Sequence, residues 1–318
     1  MPSITIATFN CENLFRRFKF SDKLTKTQID NAVQNGFIID RSLFVTVPQP
    51  EKKLTAKVIK DTNADIIALQ EVENLDTLKN FCSEHDLSAL YPYKILIDGN
   101  DPRLIDVAVL SKFPFEKLVT HQFIKNAKKD FLFSRDCLEV EFLIGDKVFT
   151  LFVNHLKSMF DRADPENGRL KTAPKRIEQV DGLLELIEKK YGRKTSTAPF
   201  VVLGDFNDYP SVDCSLAKMF KTKWLSNIIE NLPAPEQWTH FWDNSKLPEA
   251  ERYCQLDYIW ISKSLAKTNI NVQPVINRRG LSRKAKHPAI TKRYPEIENA
   301  DKVISASDHC SIALTINV

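Results

Sequence analysis

A chain of 318 residues that is 43% hydrophobic and 27% charged has the balance of a folded globular protein and is long enough to bury a large core. Its net charge of +4 selects no partner by itself. Only eight glycines occur and the closest two, at 182 and 192, are ten residues apart, which excludes a GxGxxG dinucleotide turn, a GxxxxGK phosphate loop and a GxSxG nucleophile elbow.

From the N-terminus, Ser3–Phe9 reads as a strand rich in β-branched and apolar residues. Residues 16–50 are basic and polar, end in VPQP, and read as an insertion or long loop. An amphipathic helix follows over Lys52–Lys60, then a strand over Asp65–Glu71 and a second helix over Leu75–His85. Strands are expected at Tyr93–Ile97, Asp106–Leu110, Leu138–Ile144 and Val148–Val153. In Ala173–Lys190, Ile177, Val180, Leu183, Leu184 and Ile187 recur at helical spacing and form one buried stripe. Phe200–Leu203, Leu256–Ile261 and Cys310–Ile316 complete the strands, and residues 264–306, with scattered prolines and a basic cluster, read as loop. No linker composition divides the chain, so one domain over 1–318 is expected, built of strand and helix layers. The cysteines at 11, 82, 137, 214, 254 and 310 form no CxxC pair. With no basic-then-apolar leader in MPSITIATFN and no apolar run of ~18 residues, the expectation is reduced thiols in a cytoplasmic protein that does not engage a membrane.

Chemistry gathers where these strands end. The first runs into Asn10, the second into Glu71, the sixth into Asn154 and His155, and the seventh into Asp205 and Asn207; Asp257 opens the eighth, and Asp308 and His309 precede the last. Any one such residue serves as a turn or cap. Six polar strand ends in a layered sheet can instead converge on one rim. Glu71, Asp205, Asp257 and Asp308 would then crowd four carboxylates, which requires a neutralising cation or retained protons. Hard oxygen donors without a thiolate pair or HExxH select Mg²⁺ or Mn²⁺ over Zn²⁺. Such an ion beside imidazoles suits phosphate ester hydrolysis.

The segments TFNCEN, ALQEVEN, DVAVLSKFP, FSRDCLEVEF, LFVNHLKS, VVLGDFNDYP, QLDYIWIS and ASDHCSIAL resemble, in order from residue 8 to residue 314, the motifs of the endonuclease/exonuclease/phosphatase superfamily. That resemblance implies a four-layered α/β sandwich, two mixed sheets face to face with helices outside. It implies that Asn10 holds a metal-bound water or phosphate oxygen, that Glu71 is the principal metal ligand, and that Asp308 is a second-metal or outer-shell carboxylate. It makes Asp205 the carboxylate that deprotonates the attacking water, with Asn207 its amide partner. Asp257 would orient His309 against the scissile phosphate, and Asp106 would do the same for His155. Arg135 and Asn154 would meet substrate phosphate. His240, in the aromatic run WTHFWD, reads as packed rather than catalytic.

The family fixes the reaction better than the substrate. Seven cations between 278 and 293 (Arg278, Arg279, Arg283, Lys284, Lys286, Lys292, Arg293) occur with no intervening acid and lead toward Asp308. With Arg16, Arg17, Lys19 and Lys23 after Asn10, they would form a cationic collar suited to a nucleic acid backbone, with Arg278 and Arg279 as substrate contacts; the plainer reading is a solvated loop. The expectation is a Mg²⁺- or Mn²⁺-dependent nuclease with no evident protein partner. The alternatives are a phosphomonoesterase or lipid phosphodiesterase and a non-catalytic binding module on the same scaffold.

Overall fold

Two six-stranded mixed sheets share one internal plan. A computed structural model describes residues 2–20, 23–35, 44–47, 49–211 and 213–318. In the first sheet the order is Val275–Asn277, Ser311–Asn317, Ser3–Leu14, Ile66–Val72, Asp106–Ser111, Tyr93–Leu96. In the second it is Leu225–Asn227, Asp257–Ser262, Phe200–Asp205, Lys147–His155, Cys137–Ile144, Lys117–Val119. Each sheet has a central strand with one parallel neighbour and one antiparallel neighbour: Ser3–Leu14 in the first, Phe200–Asp205 in the second.

Alternation along each strand divides the side chains between two faces. Ile4, Ile6, Ile66, Ala68, Val107 and Val109 of the first sheet meet Leu151, Val153, Val201, Leu203, Ile259 and Ile261 of the second in one continuous core. The opposite face of the first sheet, with Phe9, Ile67 and Leu69, packs on Leu54, Val58 and Ile59 of helix Lys52–Thr62 and on Leu78 and Phe81 of helix Leu75–Glu84. The outer face of the second, with Phe152, Phe200, Val202 and Trp260, takes Val180, Leu183 and Ile187 of helix Gly168–Tyr191. Each such fully buried aliphatic or aromatic residue contributes roughly 1.5–3 kcal/mol by leaving water. The result is the expected α/β sandwich.

Elements with strong periodicity lie where the sequence places them, within a few residues. The long helix begins at Gly168, before the expected Ala173, and carries Pro174 in its second turn. Part of the segment 16–50 is ordered: Lys26–Gln34 is a helix closed by a reciprocal Thr25–Gln28 capping box, and Phe18–Phe20 pairs with Phe44–Thr46. Residues 21–22, 36–43 and 48 of that segment lie outside the described residues. The expected loop 264–306 contains the edge strand Val275–Asn277 and the short helices Lys263–Thr268 and Pro295–Glu298. All six cysteines are unpaired, and only Cys254 is partly exposed. Among the described residues no helix is long and apolar enough to cross a membrane.

The central strand of the second sheet depends on Gly204, at φ +136°. A Cβ there would stand 1.9 Å from the Asn154 carbonyl oxygen of the neighbouring strand. Gly204→Ala should therefore lower the unfolding free energy by more than ~2 kcal/mol, read as a reduced urea midpoint at unchanged m-value. An unshifted midpoint would show that the sheet accommodates the methyl group.

Candidate active site

The inner-face alternation that builds the inter-sheet core continues past its last apolar residue. Asn10 follows Ile4 and Ile6 on one face, Asp205 follows Val201 and Leu203, His155 follows Leu151 and Val153, and Asp257 precedes Ile259 and Ile261. Register sets Asp205 opposite His155 on one side and Asp257 on the other. The equivalent three strand ends of the first sheet bring Asn10, Glu71 and Asp308–His309. The two polar triplets face each other across the open end of the sandwich.

Asp205 is the meeting point. Its Oδ2 accepts from Asn10 Nδ2 at 3.0 Å and from Asn207 Nδ2 at 3.0 Å, and its Oδ1 accepts from the Asn207 backbone N–H at 2.8 Å. The same Oδ2 lies 3.5 Å from His155 Nε2 and 3.9 Å from His309 Nε2. Burial pushes the Asp205 carboxyl up to about 7, against the opposing pull of the His309 charge. A carboxylate with that proton affinity can take a proton from water near neutral pH.

Asp257 Oδ2 holds His309 Nδ1 at 2.8 Å and accepts from Thr239 Oγ1 at 2.7 Å. Thr239 Oγ1 in turn receives the Leu256 and Asp257 backbone N–H groups, which locks the acid in place. Burial alone would lower the His309 pKa, but the Asp257, Asp205 and Asp308 charges and the Asp257 hydrogen bond hold it well above the usual histidine range. The pair therefore contributes stability in full below the unfolded value of ~6.5 and loses it as pH rises through the higher folded pKa.

Glu71 sits where the pairing of its strand slips, between Leu69 and Val72, at φ +62°. Its Oε2 accepts the Asn13 N–H at 2.9 Å, and Asn10 Nδ2 reaches Oε1 at 3.4 Å. Glu12, Asn13 and Asn207 also adopt positive φ. Left-handed backbone at four non-glycine residues costs of order 1–3 kcal/mol each, and here it re-aims side chains into the rim. Among the described residues no lysine or arginine lies within ion-pairing distance of Glu71, Asp205, Asp257 or Asp308; the ion pairs of the three aspartates are all to imidazoles. This donor set of carboxylate and imidazole with unneutralised acid fits a divalent cation. Asn10 differs from a direct ligand: its amide NH₂ bridges Glu71 and Asp205, while its Oδ1 takes the Glu12 N–H at 3.0 Å.

Several residues have other partners than the resemblance implies. Asp106 does not hold His155: it accepts the Gly99 N–H at 2.9 Å from a loop folded onto it, and burial raises it to about 6. The acid beside His155 is Asp205, and burial together with the Arg135, His309 and Arg103 charges pulls the His155 pKa well below its usual value. Arg135 is 1% exposed, donates to the Leu156 carbonyl and faces Asp101 at 3.0 Å. Asn154 is wholly buried and donates to the Phe152 carbonyl. Arg278 is buried, donates to the Glu236 and Trp238 carbonyls and lies over the Trp238 ring. Arg279 pairs with Asp61 at 2.9 Å and lies over Tyr294. Arg283, Lys284 and Arg293 likewise have internal partners in the Ala300 carbonyl, Asp243 and Glu298. The collar is largely an internal brace.

The sequence gives Thr239 and Ser307 no role and reads His240 as packed. Thr239 lies just before, and His240 in, a two-residue strand too short for any period, and Ser307 bonds the Asn10 carbonyl at 2.8 Å and so ties the last strand to the first. His240 is buried, bridges backbone to backbone with His309, and sets its Nε2 3.4 Å from Asp308 Oδ2.

The sequence profile of the endonuclease/exonuclease/phosphatase family matches residues 7–309. No curated protein matches the sequence significantly. Among solved structures, truncated TDP2 of Caenorhabditis elegans superposes with a TM-score of 0.58 at 17% identity, covering 99% of this chain and 98% of that one. D. rerio TDP2 complexed with single strand DNA product gives 0.57 at 16% identity over 99% of both chains. The mannosyl-6-phosphatase Bt3783 of Bacteroides thetaiotaomicron gives 0.55 at 16% identity, covering 99% of this chain and 100% of that one. At these identities the likeness is one of fold.

The two imidazoles near Asp205 differ in charge, which imidazole NMR on chelator-treated protein resolves. His309 should remain protonated at neutral pH and His155 should remain neutral. Asp257→Asn should lower the His309 pKa and, by weakening the His309 charge, relax part of the His155 depression while leaving His155 neutral at neutral pH. A neutral His309 at pH 6 in the unmodified protein would contradict the assignment.

Proposed function

Because the chain belongs to the endonuclease/exonuclease/phosphatase family, we propose that it is a Mg²⁺- or Mn²⁺-dependent phosphoester hydrolase that cleaves phosphodiester bonds of nucleic acid by direct attack of water. The observation that carries the reading is the convergence on Asp205 of strand ends from both sheets, with imidazole and amide donors and, among the described residues, no lysine or arginine paired to the carboxylates of the site. Glu71 and Asp308 would hold the ion, with Asn10 orienting Glu71. When bound, the dication offsets negative charge developing on phosphate oxygens.

The chain's own groups supply the remaining steps. Asp205 Oδ2, fixed by Asn10 and Asn207, accepts the proton of the attacking water. His309, held as imidazolium by Asp257, donates a hydrogen bond from Nε2 to the phosphoryl oxygens. His155, neutral at 3.5 Å, supports Asp205 without adding charge.

For the substrate, an open cavity of about 890 Å³ adjoins the site and is lined by Phe160, Tyr209, Trp238, Trp242 and Tyr253 with Arg169. Trp242 packs 4.3 Å from His240, which packs 4.5 Å from His309, so the groove borders the reacting end. Phe160 and Trp242 are exposed there, and such aromatic faces suit stacking of unpaired bases, whereas Trp238 is buried and Arg169 is held by Asp208. The internal engagement of the basic segment favours a second reading, a small phosphomonoester, since most of those cations have partners already.

Incubation with single-stranded DNA, RNA, plasmid, an inositol polyphosphate, a sugar phosphate and bis-p-nitrophenyl phosphate separates these readings. The expected outcome is metal-dependent cleavage of single-stranded polynucleotide, abolished by EDTA and reduced by ~10²–10⁴ in His309→Ala. Glu71→Gln should require far more metal for the same rate. Turnover in excess EDTA would refute metal dependence, and release of phosphate from the sugar or inositol phosphate alone would favour the second reading.

A further inference from the structure

His240 has no part in the chemistry above, yet its geometry is that of a ligand. Its Nε2 lies 3.4 Å from Asp308 Oδ2, and His309 Nε2 lies 3.9 Å from Asp308 Oδ1. One donor atom from each of the three residues falls within 4.8 Å of the others. The two rings meet edge to face with centroids 4.5 Å apart, held by the backbone bridge between residues 240 and 309. Both rings are oriented through the opposite nitrogen. Asp257 takes His309 Nδ1 at 2.8 Å, and Cys254 Sγ lies 3.7 Å from His240 Nδ1. A carboxylate holding the far nitrogen of an imidazole is the usual support of a metal-bound histidine. Asp308 is 41% exposed at its side chain, which leaves a route from solvent.

We propose that His240, Asp308 and His309 form a second divalent-cation site, selective for Zn²⁺ or a similar borderline ion, beside the oxygen-rich site at Glu71, with the two carboxylate oxygens of Asp308 shared between the sites. Two imidazoles and one carboxylate with an open fourth position is a zinc donor set, whereas Mg²⁺ prefers oxygen and retained water. Zinc–ligand distances of about 2.0–2.2 Å place donors about 3.4 Å apart, so donors that already lie within 4.8 Å of one another need to close by little more than ~1 Å at most. Occupation would engage the Nε2 of His309 in place of its proton, which leaves to solvent while Asp257 keeps the Nδ1–H, and so oppose the hydrolase chemistry; that consequence rests on the function proposed above, but the binding does not.

The test is Zn²⁺ titration by calorimetry on the full chain in excess Mg²⁺, followed by zinc K-edge X-ray absorption of the loaded protein. One Zn²⁺ should bind despite the Mg²⁺, with two imidazoles in its coordination shell. His240→Gln should weaken it by at least ~10-fold, and Glu71→Gln should leave it unchanged. An all-oxygen shell, no binding in excess Mg²⁺, or unaltered affinity in a folded His240→Gln would overturn the proposal. Should His240→Gln fail to fold, the absorption spectrum of the unmodified protein decides the question alone.

Discussion

One buried oxygen atom, Oδ2 of Asp205, organises this end of the molecule. It draws an amide from the first sheet, an amide from its own loop and imidazoles from both sheets into a space a few ångströms across. The atom sits at the last inner-facing position of a strand whose preceding inner residues are Val201 and Leu203. The contacts exist only if the two sheets hold their spacing and register. The inter-sheet core is thus a positional constraint on the site as much as a source of stability. Gly204 permits the close approach of its neighbouring strand one residue earlier, and the left-handed backbone at Glu12, Asn13, Glu71 and Asn207 turns the chain around the rim. The apolar burial beneath has to sustain that strain.

Electrostatics follow from the same burial. Three aspartates and Glu71 share the open end with imidazoles and amides for partners. Proton affinity is therefore redistributed: Asp205 moves up, His309 moves up and His155 moves down. Opposite shifts in two imidazoles that flank one carboxylate separate an acidic role from a neutral one without any difference in residue type. Basic residues, by contrast, take mostly structural positions. Arg135 braces the floor against Asp101 and the Leu156 carbonyl, and Arg278 holds the Trp238 segment that carries Thr239 and His240.

Much of this was legible in the sequence because strand alternation and strand-end polarity are local signals. The strands ending near Asn10, Glu71, His155 and Asp205 carry continuous apolar runs into polar residues, so both the layers and the rim follow from period two. Partnerships between distant residues are not local. Asp106 lies at a strand start like Asp257, but whether it meets an imidazole depends on how the loop through Gly99 folds onto it, and no spacing encodes that. The basic segment 278–293 has the composition of a phosphate-binding strip, yet its cations find Asp61, Asp243 and the Trp238 carbonyl far away in sequence, and Glu298 just beyond the segment. His240 opens a two-residue strand, with Thr239 just before it, in a run of aromatics where packing and polar function look alike.

The most direct measurement of the central claim is the rate of phosphodiester cleavage by Asp205→Asn under saturating metal and substrate, with metal binding followed by calorimetry on the same sample. The account predicts a loss of ~10²–10⁴ in kcat with an unchanged melting temperature and retained metal binding, because the substitution keeps the volume but removes the proton acceptor. Cleavage within about threefold of the unmodified protein would show that the water is activated elsewhere.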